Sequence, residues 1–293
     1  MKHYYPYPIL ILCLILMSST LAAEKPAYQL YNAKGKNAKY SKLIKEAEDA
    51  DIILFGEQHN NPISHWLQLE VSKDLHSIYG ENLVLGAEMF EADNALILQE
   101  YVSDAIRTRN FEAEAKLWPN YKTDIKPLIE FARENKLDFI ATNVPRRYAA
   151  AVNFGGFEAL EELSDEARSF IAPLPIAFDP ELPQYIKMAE MMGGQMGEHA
   201  NNNIVKAQAL KDATMAHFIL NNYEPGKVFL HFHGSFHSDY YEGIMWYLLQ
   251  QNPDLKILTI ATIESDSVDE FPEDQQGIAD YVIVTPGSMT KTH

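Results

Sequence analysis

The chain is almost devoid of cysteine, with Cys13 the only one among its 293 residues. A lone thiol cannot form an intrachain disulfide, and it cannot supply the cysteine pairs of thiolate metal sites or of covalent c-type haem attachment. Cys13 also lies in an N-terminal segment that we expect to be removed, so the mature chain would contain no cysteine. This excludes a cysteine nucleophile in the mature chain.

Basic residues are also scarce. The 24 lysines and arginines are outnumbered by 41 aspartates and glutamates, which gives a formal charge of -17 at pH 7. Nucleic acid binding requires a basic surface that neutralises phosphates, and attraction to anionic lipid requires the same. We therefore expect that the protein has no nucleic acid partner and that it does not bind an anionic membrane surface. The 47% of apolar residues is typical of a globular protein.

The N-terminus has the pattern of a secretory signal. Lys2 precedes the apolar run Ile9–Met17, and small residues follow up to Ala23. The run is too short to span a bilayer. We predict a signal peptide over residues 1–22 and export to the periplasm or the outer-membrane surface. Leu12 stands where a lipoprotein needs a small residue before its acylated cysteine, so secretion is favoured over a lipid anchor.

Short apolar strands alternate with helical patterns through the rest of the chain. The predicted strands are residues 52–55, 83–85, 137–142, 228–232, 255–263 and 281–284. This alternation is typical of an α/β fold with a mostly parallel central sheet and helices on both faces. We predict one α/β domain over residues 23–293.

A helical insertion over residues 155–225 interrupts the alternation. It contains no strand pattern and is rich in methionine, with Met188, Met191, Met192, Met196 and Met215. Methionine commonly fills irregular gaps in a core. The alternative is a lid over a large apolar ligand, and the sequence leaves both open.

Two segments repeat one pattern, a glycine followed three residues later by a histidine, each after an apolar strand. They are Gly56–His59 and Gly234–His237. Ligands of open parallel sheets bind outside the carboxyl ends of the strands. Applied to the predicted strands, this rule gathers Glu57, His59, Glu88, Glu91, Asn143, His233 and His237. Histidines and carboxylates on one rim suit a divalent metal or an acid–base pair.

Several histidines and carboxylates of the chain also have structural explanations. Glu57 can face the dipole of the helix that begins near Pro62. His231 and His233 project to the same side of one strand, so we expect one of them to be a buried, hydrogen-bonded core residue. His65 falls on a helix, where a surface or core role is expected. The functional interpretation therefore depends on the convergence of the groups.

Five sequence blocks together resemble the ChaN-type haem-binding proteins of bacterial iron uptake. The blocks are Phe55–Asn61, Gly86–Glu91, Ala141–Arg146, Ala207–Ala216 and His233–Gly243. They occur in order over most of the mature chain. The resemblance implies an exported haem-binding protein that takes part in haem or iron uptake or transport. It also implies a homodimer on haem binding and an outer-membrane haem receptor as a partner.

A haem site needs an apolar cleft, an axial ligand and cations for the propionates. Arg146 and Arg147 are the expected cations. The axial ligand stays open between the candidates His59, Tyr148, His237, Tyr240 and Tyr241.

The paired pattern is also similar to a wider group that includes erythromycin esterases and Tiki-type metal-dependent proteases. That similarity implies a metal-dependent hydrolase as the alternative function, with Glu57, His59, Glu88 and His237 as catalytic residues. Zinc or manganese would then be held by Glu57, His59, Glu88, His233 and His237. A haem carrier has no evident need for four such groups, so whether the protein is an enzyme is left open.

Overall fold

The computed structural model describes Met1 and residues 25–193 and 198–293. The predicted signal peptide, apart from Met1, and Met196 lie outside these described residues. Seven strands form one sheet: β1 (Gln29–Asn32), β2 (Ile52–Glu57), β3 (Leu83–Glu91), β4 (Phe139–Asn143), β5 (Val228–Gly234), β6 (Ile257–Ser265) and β7 (Tyr281–Pro286). Their order across the sheet is β1-β7-β6-β2-β5-β3-β4.

The sheet is parallel except for β1, which pairs antiparallel with β7. This confirms the predicted α/β fold with a mostly parallel sheet. The edge strand β1, with four half-buried residues, was not among the predicted strands. The central strands β2 and β5 are buried along their whole length, as the apolar runs predict. These two strands are neighbours, although more than 170 residues separate them in the chain.

Helices cover both faces of the sheet. They are α1 (Tyr40–Ala47), α2 (Pro62–Tyr79), α3 (Ala95–Val102), α4 (Thr108–Glu114), α5 (Lys126–Asn135), α6 (Arg146–Gly155), α7 (Asp165–Arg168), α8 (Pro183–Gly193), α9 (Glu198–Asn222) and α10 (Ile244–Gln251). Ile53 and Phe55 of β2 pack in the core beneath α1 to α5. Ile52 and Leu54 pack on the opposite face against α6, α9 and α10. The alternation of side chains along a strand thus supplies two cores. None of the described helices combines the length and apolarity needed to cross a bilayer.

The chain between α6 and β5 contains helices and turns but no strand within its described residues. Its methionines have different environments. Met215 of α9 is fully buried in the core, whereas Met191 of α8 is 68% exposed. Met215 therefore fills the core, which is the commoner use of methionine.

Beyond β5 the chain enters no α-helix until α10 begins at Ile244. Tight turns precede it, with Tyr240 and Tyr241 in the left-handed region at φ of 58° and 65°. A Cβ atom added to Gly243 would lie 2.2 Å from the carbonyl oxygen of His237. This close backbone approach requires glycine and delays the helix.

The N-terminus of α2 offers a test of local stability. The Asn61 side chain accepts hydrogen bonds from two backbone N–H groups of α2 and donates to side chains at the ends of β6 and β7. We expect Asn61→Ala to lower the free energy of unfolding by about 2 kcal/mol, because it removes a cap and leaves buried partners unpaired. Ser164→Ala, at the exposed start of α7, should cost less than about 1 kcal/mol. Urea unfolding measures both, and equal losses would contradict the assignment.

Candidate functional site

The two Gly-x-x-His motifs meet at the carboxyl edge of the sheet because β2 and β5 pair in parallel register. Glu57 of β2 lies opposite Gly234 of β5. On the other side of β5, Glu88 of β3 accepts a hydrogen bond of 2.8 Å from the Gly234 N–H. The structure thus brings together Glu57, His59, Glu88 and His237, as the rule on strand ends predicts.

A buried carboxylate orients His59. The Nδ1 atom lies 2.9 Å from Oε1 of Glu57, and the second Glu57 oxygen accepts a 2.7 Å hydrogen bond from the Gln68 amide. The His59 side chain is 41% exposed, while that of Glu57 is fully buried. Since Nδ1–H donates to the carboxylate, Nε2 is the nitrogen that remains for a ligand. Burial opposes the imidazolium, but the hydrogen bond to Glu57 and the charge of Glu88 raise the pKa of His59.

The backbone and ring of His59 are also fixed. Its carbonyl oxygen lies 3.0 Å from Nε2 of His65 and accepts a 2.9 Å hydrogen bond from the Asn120 amide. His65 is therefore a bonded core residue. The Trp118 ring packs edge-on against the His59 ring at 5.0 Å between centroids. A Cβ atom on Gly234 would lie 2.9 Å from Nε2 of His59, so the ring lies directly on the backbone of β5.

His237 is enclosed between two carboxylates. Its Nδ1 lies 2.5 Å from Oδ1 of Asp212 in α9, and its Nε2 lies 3.2 Å from Oε1 of Glu88. Burial opposes protonation, but the two carboxylates raise the pKa of His237 to about 9. Burial likewise opposes the Glu88 carboxylate, yet the His237 charge holds the pKa of Glu88 well below its usual range. Both nitrogens of His237 are thus engaged within the protein.

His231 and His233 form a neutral pair in the core. Their Nδ1 atoms lie 3.1 Å apart, and their outer nitrogens contact the hydroxyls of Thr142 at 2.7 Å and Ser238 at 2.8 Å. Burial lowers the pKa of His231 to about 3 and that of His233 well below its usual range. We expected one of the two to be a buried core residue, and the structure buries both. His233 is therefore placed in the core and not on the rim.

A cleft of about 600 Å³ opens beside His59, a volume in the range of ligand pockets. Glu88 and Asn143 are also part of its wall. Its apolar lining includes Met89, Leu117, Trp118, Val144 and Ala149. The cations are Lys116, Arg146 and Lys211. A larger cavity of about 710 Å³ lies at the edge strand β4, between α3 and α9, but none of the predicted site residues line it. We therefore assign ligand binding to the cleft at the strand ends.

Other predicted ligand residues do not line this cleft. Arg147 pairs with Asp93 and stacks over the Tyr148 ring, 4.4 Å from its centroid. The Tyr240 hydroxyl donates to the carbonyl oxygen of Asp274, and the Tyr241 hydroxyl donates to the Asp280 carboxylate. Both acceptors lie in the segment just before β7. The tight turns after His237 place these two tyrosines on that side of the sheet.

The predicted metal ligands form hydrogen-bonded pairs. Glu57 pairs with His59 and Glu88 with His237. Over residues 25–193 and 198–293, no group of three histidine, cysteine or carboxylate side chains is disposed to hold a metal ion.

Three residues of the site were not predicted from the sequence, namely Lys116, Lys211 and Asp212. The last two lie in the block Ala207–Ala216, which contributes to the family resemblance. That block was the available signal, but it does not indicate which side chains of α9 face the strand ends.

Replacement of Gly234 tests the packing of His59. We expect Gly234→Ala to displace the imidazole, because the added Cβ would lie 2.9 Å from its Nε2, and to cost about 1–3 kcal/mol of stability. At Gly155 an added Cβ finds its nearest neighbour at 3.5 Å, so Gly155→Ala is the matched control. The shift of the His59 imidazole resonances by NMR measures the effect, and unchanged resonances in Gly234→Ala would contradict it.

The enclosed His237 predicts a loss of stability in alkali. Its folded pKa of about 9 exceeds the ordinary value of 6.5. The stabilisation is therefore fully present below pH 6.5 and is lost as the pH rises through 9, by about 3 kcal/mol in total. Asp212→Asn removes one of the carboxylates that raise the pKa of His237. The alkaline loss of stability should therefore begin at a lower pH in this variant than in the unmodified protein. Guanidinium unfolding across this range measures the profiles, and superimposable curves for the two proteins would refute the assignment.

Comparison with known proteins places the chain in a family. The family model for haem-binding uptake, Tiki superfamily, ChaN matches residues 43–248. A structure of Campylobacter jejuni ChaN with cofacial haem binding is similar, at 17% identity and a TM-score of 0.66, over 89% of this chain and 97% of that one. A Bacillus cereus protein matches at 12% identity and a TM-score of 0.50, over 88% and 94%. An erythromycin esterase mutant in an open conformation matches at 11% identity and a TM-score of 0.46, over 89% and 83%. A comparison with curated proteins finds no match.

At these identities the structural similarities to the first two proteins show a shared fold alone. The family model, however, covers more than half of the chain and includes His59, Glu88, Lys211 and His237. The chain therefore belongs to the ChaN family of haem-binding uptake proteins, within the Tiki superfamily.

Proposed function

We propose that this protein binds haem in the cleft beside His59 and takes part in haem or iron uptake or transport outside the cytoplasm. The observation that supports this most directly is the half-exposed His59, whose Nε2 is left for a ligand beside an apolar wall. Haem needs such a wall for its macrocycle, together with an axial ligand for its iron. Export is proposed because the N-terminus has the pattern of a signal peptide.

The apolar wall fits the flat macrocycle. The cleft is lined by Met89, Leu117, Trp118, Val144 and Ala149. The Trp118 ring already contacts His59 edge-on. Burying apolar macrocycle surface against these side chains would supply most of the binding free energy.

The cations of the cleft fit the two propionates. Lys116 is paired with Glu91 at 2.9 Å and with Asp93 at 3.1 Å. Arg146 and Lys211 have no ion pair within 4.0 Å among the residues that the structure describes. A carboxylate of the ligand would therefore find a charge-assisted hydrogen bond at either of these two side chains.

The alternative of a metal-dependent hydrolase requires His59, His237 and a carboxylate to meet at one ion. His237 is held between Asp212 and Glu88 and turns neither nitrogen towards His59. The side-chain geometry thus favours the haem carrier, and we do not propose hydrolysis.

Haem binding is also expected to change the oligomeric state of the protein. The similar Campylobacter jejuni protein is described with cofacial haem binding. We accordingly propose that haem binding here promotes a homodimer and that an outer-membrane haem receptor is the partner. Light scattering with and without haem tests the dimer.

Titration of the full-length protein with ferric haem tests the proposed site. We expect saturable binding with a shifted Soret band, which His59→Ala abolishes by removing the iron ligand. Arg146→Ala and Lys211→Ala should each weaken binding roughly tenfold without changing the spectrum, because each removes a propionate partner. Arg109→Ala, an exposed arginine outside the cleft, is the control. Binding that never saturates, or that survives His59→Ala unchanged, would disprove the site.

A further inference from the structure

We infer that the sheet edge at β4 is a docking groove for an extended segment of a partner protein, which pairs with β4 as an additional strand. The two edges of the sheet are β1 and β4. An edge strand presents backbone N–H and C=O groups that can pair with another chain. The two edges of this sheet differ in whether those groups already have partners. The groove is separate from the cleft beside His59, so it does not depend on haem binding.

The edge at β1 is closed by the chain itself. A turn follows β1 and brings the next residues back along its outer side. The Ala38 N–H donates to the Leu30 carbonyl oxygen at 2.8 Å. The Asn32 N–H donates to the Lys36 carbonyl oxygen at 2.9 Å. The outer side of β1 is thus already paired, which removes it as a template for another strand.

The edge at β4 is open. Leu85 of β3 lies opposite Phe139, and its N–H donates to the Asp138 carbonyl oxygen at 3.0 Å. In a parallel ladder, successive residues of a strand direct their N–H and C=O groups alternately to the two sides. This register turns the backbone groups of Phe139 and Ala141 away from β3. Neither residue has a backbone hydrogen bond on that outer side within the part of the chain that the structure describes.

A groove lies along this open edge and contains a cavity of about 710 Å³. Helices α3 and α9 pack on opposite faces of the sheet, so one of them stands on each side of β4. Phe139 and Ala141 also line the cavity, and both are buried. The open backbone groups are therefore recessed between the two helices. The helix residues that line the groove are Ala95, Gln99, Val102, Phe218 and Asn222.

The recessed edge selects one extended segment as the occupant rather than a second copy of the chain. Two sheets that pair edge to edge must bring their edge strands within about 4.8 Å of each other. Each β4 is set back between helices that are about 10–12 Å across, so the helices of two copies would collide first. A single segment is narrow enough to enter. Its side chains would point alternately towards α3 and towards α9.

Charges at the amino end of β4 define the sequence of the occupant. Lys136 and Asp138 line the groove there, and both are exposed. Neither has an ion pair within 4.0 Å among the described residues, whereas Arg133 is held by Asp104 and Glu130 at 2.7 Å. A segment antiparallel to β4 complements them with a basic residue opposite Asp138 and an acidic residue opposite Lys136. Its preceding positions face the two helices and suit uncharged, β-branched side chains.

The peptide Thr-Val-Thr-Val-Lys-Thr-Glu, with a fluorophore at its N-terminus and a blocked C-terminus, has this pattern. Its valines lie opposite Phe139 and Ala141, and its lysine lies opposite Asp138. We would titrate it with the full-length protein and record fluorescence anisotropy, and we expect saturation with a Kd of about 0.1 mM. Exchange of its lysine and glutamate should weaken binding about fivefold, because both surface ion pairs become repulsive.

Methylation of the peptide backbone tests strand pairing directly. Methyl groups on the two valine amides remove the donors to the carbonyl oxygens of Phe139 and Ala141, and binding should weaken about 30-fold. Methyl groups on the two threonines of the Thr-Val-Thr-Val run are the matched control. Those amides face away from β4, so the affinity should change less than about threefold.

Hydrogen exchange measured by NMR locates the peptide on the unmodified protein. Saturating peptide should slow the exchange of the Phe139 and Ala141 amides by about tenfold or more, because each gains an acceptor. The Ile140 and Thr142 amides face β3 in the same register and should not change. This difference between alternate residues identifies strand addition.

A variant that fills the groove gives an independent test. Ala95→Trp places an indole in the groove and should weaken peptide binding by about tenfold or more. Leu96→Trp is the control, because Leu96 is 70% exposed and does not line the groove. Haem binding should be unchanged in both variants, since neither residue lines the cleft beside His59.

Failure of the groove and failure of the haem site give different results. If the unmodified peptide does not saturate, or if methylated valines and methylated threonines weaken binding equally, strand docking at β4 is refuted. Unchanged exchange at Phe139 and Ala141 would refute it too, even if Ala95→Trp did not fold. None of these results alters the haem titration, which decides the proposed function.

Discussion

Where β2 and β5 lie side by side, the glycine of each Gly-x-x-His motif leaves space for the other motif. A Cβ atom on Gly56 would lie 2.7 Å from Cα of Ser235, inside the second motif. A Cβ atom on Gly234 would lie 2.9 Å from the ring of His59, inside the first. This reciprocal close packing allows the two strand ends to run side by side, and the positions of the carboxylates and of the cleft depend on it.

Once the motifs are in contact, their histidines take different roles because their surroundings differ. His59 has one carboxylate behind it and an open cleft in front, so one nitrogen is left for a ligand. His237 has a carboxylate on each side and no open face, so it acts as a buried positive charge that stabilises Glu88. A repeated sequence pattern has thus produced one ligand-binding residue and one supporting residue. Exposure and charge, rather than residue type, separate the two.

Local patterns were sufficient to predict much of the fold. The apolar runs of β2 and β5 follow from hydrophobic period, and the start of α2 at Pro62 follows from the chemistry of helix starts. The convergence of Glu57, His59 and Glu88 followed from a general rule on strand ends. The strand β1 was missed because four half-buried residues give no distinct period.

The remaining features depend on tertiary contacts. The left-handed Tyr240 and Tyr241 depend on the packing of Gly243 against His237, which local propensity does not encode. Lys211 and Asp212 approach the site only because α9 packs across α6 and α10. A helical period shows that such residues share a helix, but it does not show which strand ends they face.

The buried pair His231 and His233 has a consequence for how the protein exchanges protons with its surroundings. Both imidazoles are neutral in the folded core, and each would take up a proton on unfolding once the pH falls below the ordinary histidine value. His237, charged when folded, releases its proton on unfolding at neutral and mildly alkaline pH. Unfolding therefore changes from proton uptake to proton release as the pH rises. Three histidines within seven residues thus set an acid limit and an alkaline limit to the folded state.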